Sequence, residues 1–202
     1  MTQFLDAVRA TSKFFMKSDN VHETLNRVTR RLEDEGIGYA LVGGLALFAH
    51  GFRRYTTDVD ILVTREGLVA VHKKLVGRGY LPQFQGARKK LRDTQTGVPV
   101  DFITTGEYPG DGKPKPVSFP DPVSTSIEMD GKRVIRLEKL LELKLASGMS
   151  APHRVSDLGD VQRVIETLQL PREFVDKLDP SVRDKYVELW DAIRNATGPD
   201  RE

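Results

Sequence analysis

The stretch Tyr39–Val63, YALVGGLALFAHGFRRYTTDVDILV, constrains the fold more than any other part of the chain. An apolar run, Tyr39–Val42, breaks at Gly43-Gly44. A short helical segment (Leu45–His50) and a basic turn (Gly51–Arg54) follow, and the stretch closes on Asp58-Val59-Asp60-Ile61-Leu62-Val63. Side chains at i and i+2 of a strand share a face, so Asp58 and Asp60 point one way and Val59 and Ile61 the other, into the core. Two carboxylates a few ångströms apart repel, and one takes up a proton unless a cation holds the pair. Hard divalent cations with oxygen ligands, Mg²⁺ above all, answer that demand. The pair is therefore a metal-site candidate, although an isolated Asp-x-Asp also fits a strand edge with two solvated acids.

The residues around the pair add chemistry. Gly43-Gly44 lets the backbone turn sharply and lets an anion approach peptide N–H groups, at the start of a helix whose N-terminus favours phosphate. Arg53 and Arg54 are either a solvated turn or, for one of them, a guanidinium fork on a phosphate oxygen. Thr57 is either a phosphate hydrogen-bond partner or an ordinary β-branched strand residue. The order of strand, diglycine, thirteen residues and Asp58-x-Asp60 in an apolar frame resembles the nucleotidyltransferase motif of the polymerase-β superfamily. With Gly51, Arg54 and Thr57 leading into the pair, the wording is closest to the bacterial AbiEii-type toxin nucleotidyltransferases.

Further along, Val98–Ile103 reads as a strand whose only charge is Asp101. A carboxylate in an apolar strand is costly unless paired or metal-bound. The resemblance implies that Asp101 is the third metal acid and the general base, and that Asp58, Asp60 and Asp101 together hold Mg²⁺, in a two-metal site that could also take Mn²⁺. Arg88, Lys89, Lys90 and Arg92 form the densest basic cluster; they are edge protection or a contact for triphosphate or a nucleic-acid backbone. Residues 104–125 are Pro- and Gly-rich and too long for a simple connection, which marks a functional or mobile loop. In the tail, Lys144 falls on the apolar stripe of Leu137, Leu140, Leu141 and Leu145, and Asp157 lies toward the apolar side of the next helix, with Asp160 at its edge. The two invite either a cleft or a buried Lys144–Asp157 ion pair. Lys144, Arg154, Asp157 and Asp160 also resemble the tail pattern of the AbiEii-type enzymes, which implies that Lys144 holds nucleotide phosphates and that an Asp orients substrate or a phosphate-binding side chain.

The expected fold is α/β (α+β): a small mixed sheet forming a nucleotidyltransferase core, an N-terminal helical arm (residues 1–17 and 20–35), and a C-terminal helical region. The division falls at 1–136 and 137–202. Asp130-Gly131 between Ser126–Met129 and Lys132–Ile135 is a strong hairpin signal. At 202 residues with 39% hydrophobic and 30% charged residues, the chain has material for a proper core. No apolar run approaches the ~20 residues that cross a bilayer, and the N-terminus lacks a signal-peptide apolar core. The absence of cysteine excludes disulfides and thiolate chemistry and suits the cytoplasm. A net charge of +2 does not announce a nucleic-acid binder. The resemblance implies NMP transfer from an NTP to a hydroxyl of RNA, most simply the tRNA 3′ end, by a toxin with a cognate antitoxin. The alternatives are adenylylation of a protein or an antibiotic-type small molecule, and a non-catalytic binding or antitoxin module.

Overall fold

The computed structural model describes residues 20–52 and 54–196. The expected first helix, Arg53 and the terminal GPDRE lie outside them. Helix α1 covers described residues 20–34 and buries Val21, Leu25, Val28 and Leu32, the predicted stripe. Strand β1 (Tyr39–Leu41) leads into the short helix α2 (Gly43–Ala49), then β2 (Val59–Val63) and α3 (Arg65–Leu75). Strands β3 (Tyr80–Pro82), β4 (Lys90–Asp93), β5 (Pro99–Thr104), β6 (Ser126–Met129) and β7 (Lys132–Ile135) follow. The chain ends in α4 (Leu137–Ser150), α5 (Val155–Thr167) and α6 (Pro180–Ala196).

All seven strands form one mixed sheet in the order β3-β4-β5-β2-β1-β7-β6. β1 runs antiparallel to β2, and β2 runs parallel to β5 with Asp60 opposite Asp101. β4 runs antiparallel to β5 with Lys90 opposite the same Asp101. Along β5, Val100, Phe102 and Thr104 are buried while Asp101 and Ile103 are less so. One face of the sheet is thus core, and the other carries the acids. On the core face α3 packs against β2 and β5, with Gly67 against the Val63 side chain. The β6–β7 hairpin turns through Asp130 and Gly131, both at positive φ (49° and 71°), as a two-residue type I′ connection requires.

The C-terminal helices pack on one another and meet the sheet through α2 and β7. Helix α4 is buried on every side from Leu140 to Ser147, including Glu142 and Lys144. Such a helix has no solvated face, so its charges must be answered internally. Glu142 takes Lys139 Nζ at 2.9 Å and the Asp179 amide at 2.9 Å. One continuous apolar core runs from α1 through the sheet to α6. The 105–125 segment is strapped down: the Gly106 amide donates to the Phe119 carbonyl at 2.8 Å, and the Phe119 amide to the Glu107 carbonyl at 2.8 Å. Its tip presses on α4, where a Cβ on Gly110 would sit 2.7 Å from the Ser147 carbonyl. Among the described residues no helix is long and apolar enough to cross a membrane.

Candidate active site

Parallel pairing of β2 with β5 sets Asp60 and Asp101 side by side on the open face of the sheet. Asp58 stands just before β2. One carboxylate oxygen from each of the three lies within 4.8 Å of the others. Two of the acids are oriented by neighbours: Thr56 Oγ1 donates to Asp58 Oδ1 at 2.7 Å, and Lys90 Nζ donates to Asp101 Oδ2 at 2.8 Å. The other Asp101 oxygen, Oδ1, is buried and has no partner among the described residues. Burial, then the charges of Asp58 and Asp101, push the Asp60 carboxyl up to about 7, against the opposing pull of Lys144 and Arg154.

The backbone is shaped for this crowding. Gly43 adopts φ +62°, and a Cβ there would sit 1.9 Å from Asp60 Oδ2. Only glycine permits both the left-handed turn and the approach. Gly44 is tight against Thr56, with a built Cβ 3.0 Å from its Oγ1. A buried carboxylate oxygen without a donor, beside two further acids that repel it, is a cation site by its chemistry. Asp58, Asp60 and Asp101 fit a hard divalent cation.

Facing the acids, Lys144 is enclosed by two carboxylates, Asp157 Oδ1 at 2.8 Å and Asp160 Oδ2 at 2.7 Å. Asp157 also receives Ser147 Oγ at 2.7 Å and pairs with Arg154 Nε at 3.1 Å. Burial raises the Asp157 pKa, but Lys144 outweighs it and holds the group below the usual carboxylate range. Asp160 pairs in addition with Arg54. The network fastens the basic turn after α2 to α4 and α5. Between it and the acid triad lies a cleft of about 520 Å³, with Lys89, Lys90 and Glu107 on its far wall. A second compartment of about 300 Å³ opens beside Asp60 and Lys144 toward α4.

No protein-family model matches the chain, and no curated protein matches it in sequence. Solved structures do match it in shape. An antigenic nucleotidyltransferase-like protein from Paracoccidioides brasiliensis superposes with a TM-score of 0.56 at 15% identity, covering 89% of this chain and 90% of that one. The antibiotic-resistance factor ANT(2'')-Ia gives 0.54 at 12% identity, over 92% and 97% of the two chains. Its complex with adenylyl-2''-tobramycin gives 0.50 at 10% identity, over 87% and 98%. The chain has a nucleotidyltransferase fold. These likenesses establish the architecture expected from the sequence.

Within this nucleotidyltransferase fold the cleft gathers most residues singled out from the sequence. Gly43, Gly44, Arg54, Asp58, Asp60, Asp101, Lys144 and Asp157 all line it. Thr57 does not. It is exposed and lines a separate depression with Asn20 and Thr96, so the hydroxyl in the cleft is that of Thr56. Residues 56–58 precede the first residue of β2, and the strand alternation does not extend over them. Arg54 is held by Asp160 rather than free for an anion, and Asp160, expected at the helix edge, is buried. The buried Lys144–Asp157 pair and the cleft coexist. Thr56, Lys89, Lys90 and Arg154 join the cleft beyond the expected site residues. The basic run from Arg88 to Arg92 was the signal for the two lysines, but their register against Asp101 was not visible in it.

Proposed function

We propose that the protein is a metal-dependent nucleotidyltransferase that moves NMP from an NTP to a hydroxyl of RNA, the tRNA 3′ end being the simplest acceptor. One observation carries this reading: three acids share a cleft, their oxygens lie within 4.8 Å of one another, and one oxygen is buried without a donor. Asp58, Asp60 and Asp101 would hold Mg²⁺ (or Mn²⁺), which supplies charge neutralisation and polarisation of phosphoryl oxygens. The chain's own residues do the rest. The acceptor O–H approaches the α-phosphorus, its proton passes to the Asp101 carboxylate, the O–P bond forms, and the Pα–O bond to the β-phosphate breaks, releasing pyrophosphate. Gly43 and Gly44 offer backbone at the start of α2, where no side chain caps the helix. Lys144 and Arg54, kept in place by Asp157 and Asp160, meet the triphosphate with their remaining N–H groups. On this reading residues 1–136 form the catalytic core and 137–202 a helical region closing the cleft.

The acceptor side favours RNA over a cationic aminoglycoside. Lys89 and Lys90 stand on that wall, and like charge repels a polycation while a phosphodiester is attracted. The second reading, adenylylation of a small molecule, draws on the likeness to ANT(2'')-Ia. By the AbiEii-type resemblance the protein would act in the cytoplasm as the toxin of a toxin–antitoxin pair, so its induction should arrest growth. Incubating it with each NTP labelled at the α-phosphate, Mg²⁺, and in turn total tRNA, a protein extract or tobramycin tests the acceptor. Label on tRNA is expected. Label on tobramycin alone would replace RNA with the small-molecule reading.

A further inference from the structure

We propose that the second compartment beside Asp60 seats the nucleobase, and that it grips the ring by its faces rather than by its edge, so that all four NTPs are accepted. The inference rests on the nucleotidyl-transfer reading and assigns a subsite within it. The compartment measures about 300 Å³, at the lower end of the roughly 300–1,000 Å³ of small-molecule sites. It opens from Gly43, Asp60 and Lys144, which is where a nucleotide's α-phosphate would lie, and away from Lys89 and Lys90. Its walls are of one character. Tyr108 and Phe119 come from the strapped 105–125 segment, and Leu140 and Leu143 from α4. Two aromatic rings opposite two leucines make a slot for a flat, weakly polar group.

The slot is built in advance. Phe119 is pinned by its two backbone hydrogen bonds to Gly106 and Glu107, and Gly110 fits against α4 with no room for a side chain. The groups that could read a base edge are already engaged. The Ser147 hydroxyl donates to Asp157 at 2.7 Å, and its carbonyl takes the Ala151 amide at 3.1 Å. The Pro109 carbonyl takes Lys115 Nζ at 2.6 Å. No Asn or Gln, the side chains that pair with two edge atoms at once, lines the compartment. What remains is the Tyr108 hydroxyl and the exposed ring of His153, too few to tell four bases apart.

Calorimetric titration of the full chain with ATP, GTP, CTP, UTP and inorganic tripolyphosphate, each with Mg²⁺, tests this. The four NTPs should bind within about tenfold of one another, and each about tenfold or more tighter than tripolyphosphate. Phe119→Ala, and independently Tyr108→Ala, should remove most of that advantage and leave tripolyphosphate binding unchanged, which also certifies each variant as folded. One NTP standing above the rest by more than about a hundredfold would mean edge reading and overturn the proposal. NTPs binding no better than tripolyphosphate would remove the base seat and leave nucleotidyl transfer standing. Unchanged NTP affinity with a raised acceptor KM in Phe119→Ala would reassign the slot to the acceptor. Binding of neither NTP nor tripolyphosphate would overturn both readings.

Discussion

Asp60 bears the sharpest conflict in the molecule, since its carboxyl, pushed up to about 7, belongs to a group that cation binding needs ionised. An acid raised in the folded state binds more protons than in the unfolded chain between about pH 4 and 7. Stability of the metal-free protein therefore falls as pH rises through that window, and the loss is complete above 7. Thermal melts without divalent ion should show this decline between pH 5 and 8. Asp60→Asn should flatten it and stabilise the metal-free protein at pH 8 by on the order of 2 kcal/mol, after allowance for solvent in the cleft. Mg²⁺ should restore the wild type and do little for the variant; melts with no pH dependence in either protein would count against the crowding of the acids. Gly43→Ala tests the same point from the backbone. A Cβ 1.9 Å from Asp60 Oδ2 at a φ of +62° cannot be housed without displacement, so a destabilisation of about 1–3 kcal/mol and weaker cation binding are expected. At this scale the sequence was legible wherever a residue sat inside a regular element. Asp60 and Asp101 obey strand alternation, whereas Thr57, in the bend before β2, does not, and its neighbour Thr56 holds Asp58 instead.

Among the elements, α4 and α5 carry the charge network that faces the acids. Lys144 is shared by two carboxylates, all three groups being buried. Truncating one partner of a buried pair leaves uncompensated charge, so Lys144→Ala should cost about 3–5 kcal/mol in urea unfolding at pH 7. Arg54 and Arg154 soften the loss but cannot reach both acids as Lys144 does. Because Asp157 is held below the usual range, the stability it contributes is present above the unfolded carboxylate pKa and vanishes as pH falls through its folded one. The Lys144→Ala deficit should accordingly shrink toward pH 3; a deficit constant with pH would point to lost packing alone. An inward Lys and an inward Asp on consecutive helices were legible from periodicity, and so was the 126–135 hairpin from Asp130-Gly131. The sheet order was not. Placing β5 beside β2 and β4 beside β5 depends on contacts distant along the chain, and with it went the row Lys90–Asp101–Asp60 that centres the cleft. The 105–125 segment could not be told from a mobile loop, because its anchors are backbone pairs and a glycine fit that composition does not encode.

For the whole molecule, a sheet with acids on one face and helices closing over them is an architecture suited to holding a triphosphate between two walls. A net charge of +2 hides a local arrangement, in which Lys89 and Lys90 flank the acids on the side left for the acceptor. If that wall receives a phosphodiester, transfer to RNA should weaken steeply with salt while NTP affinity changes less. The wall also accounts for a fold shared with ANT(2'')-Ia serving a different acceptor here, since fold and substrate are separable. The central claim is that Asp58, Asp60 and Asp101 act together on the α-phosphorus of an NTP. Parallel reactions with NTP labelled at the α- or the γ-phosphate, RNA and Mg²⁺ measure this most directly. The account predicts α-label on RNA and γ-label in pyrophosphate, both lost on adding EDTA and in Asp60→Ala and Asp101→Ala. It is contradicted if γ-label appears as free phosphate with no α-label transferred, or if either variant transfers label as well as the wild type.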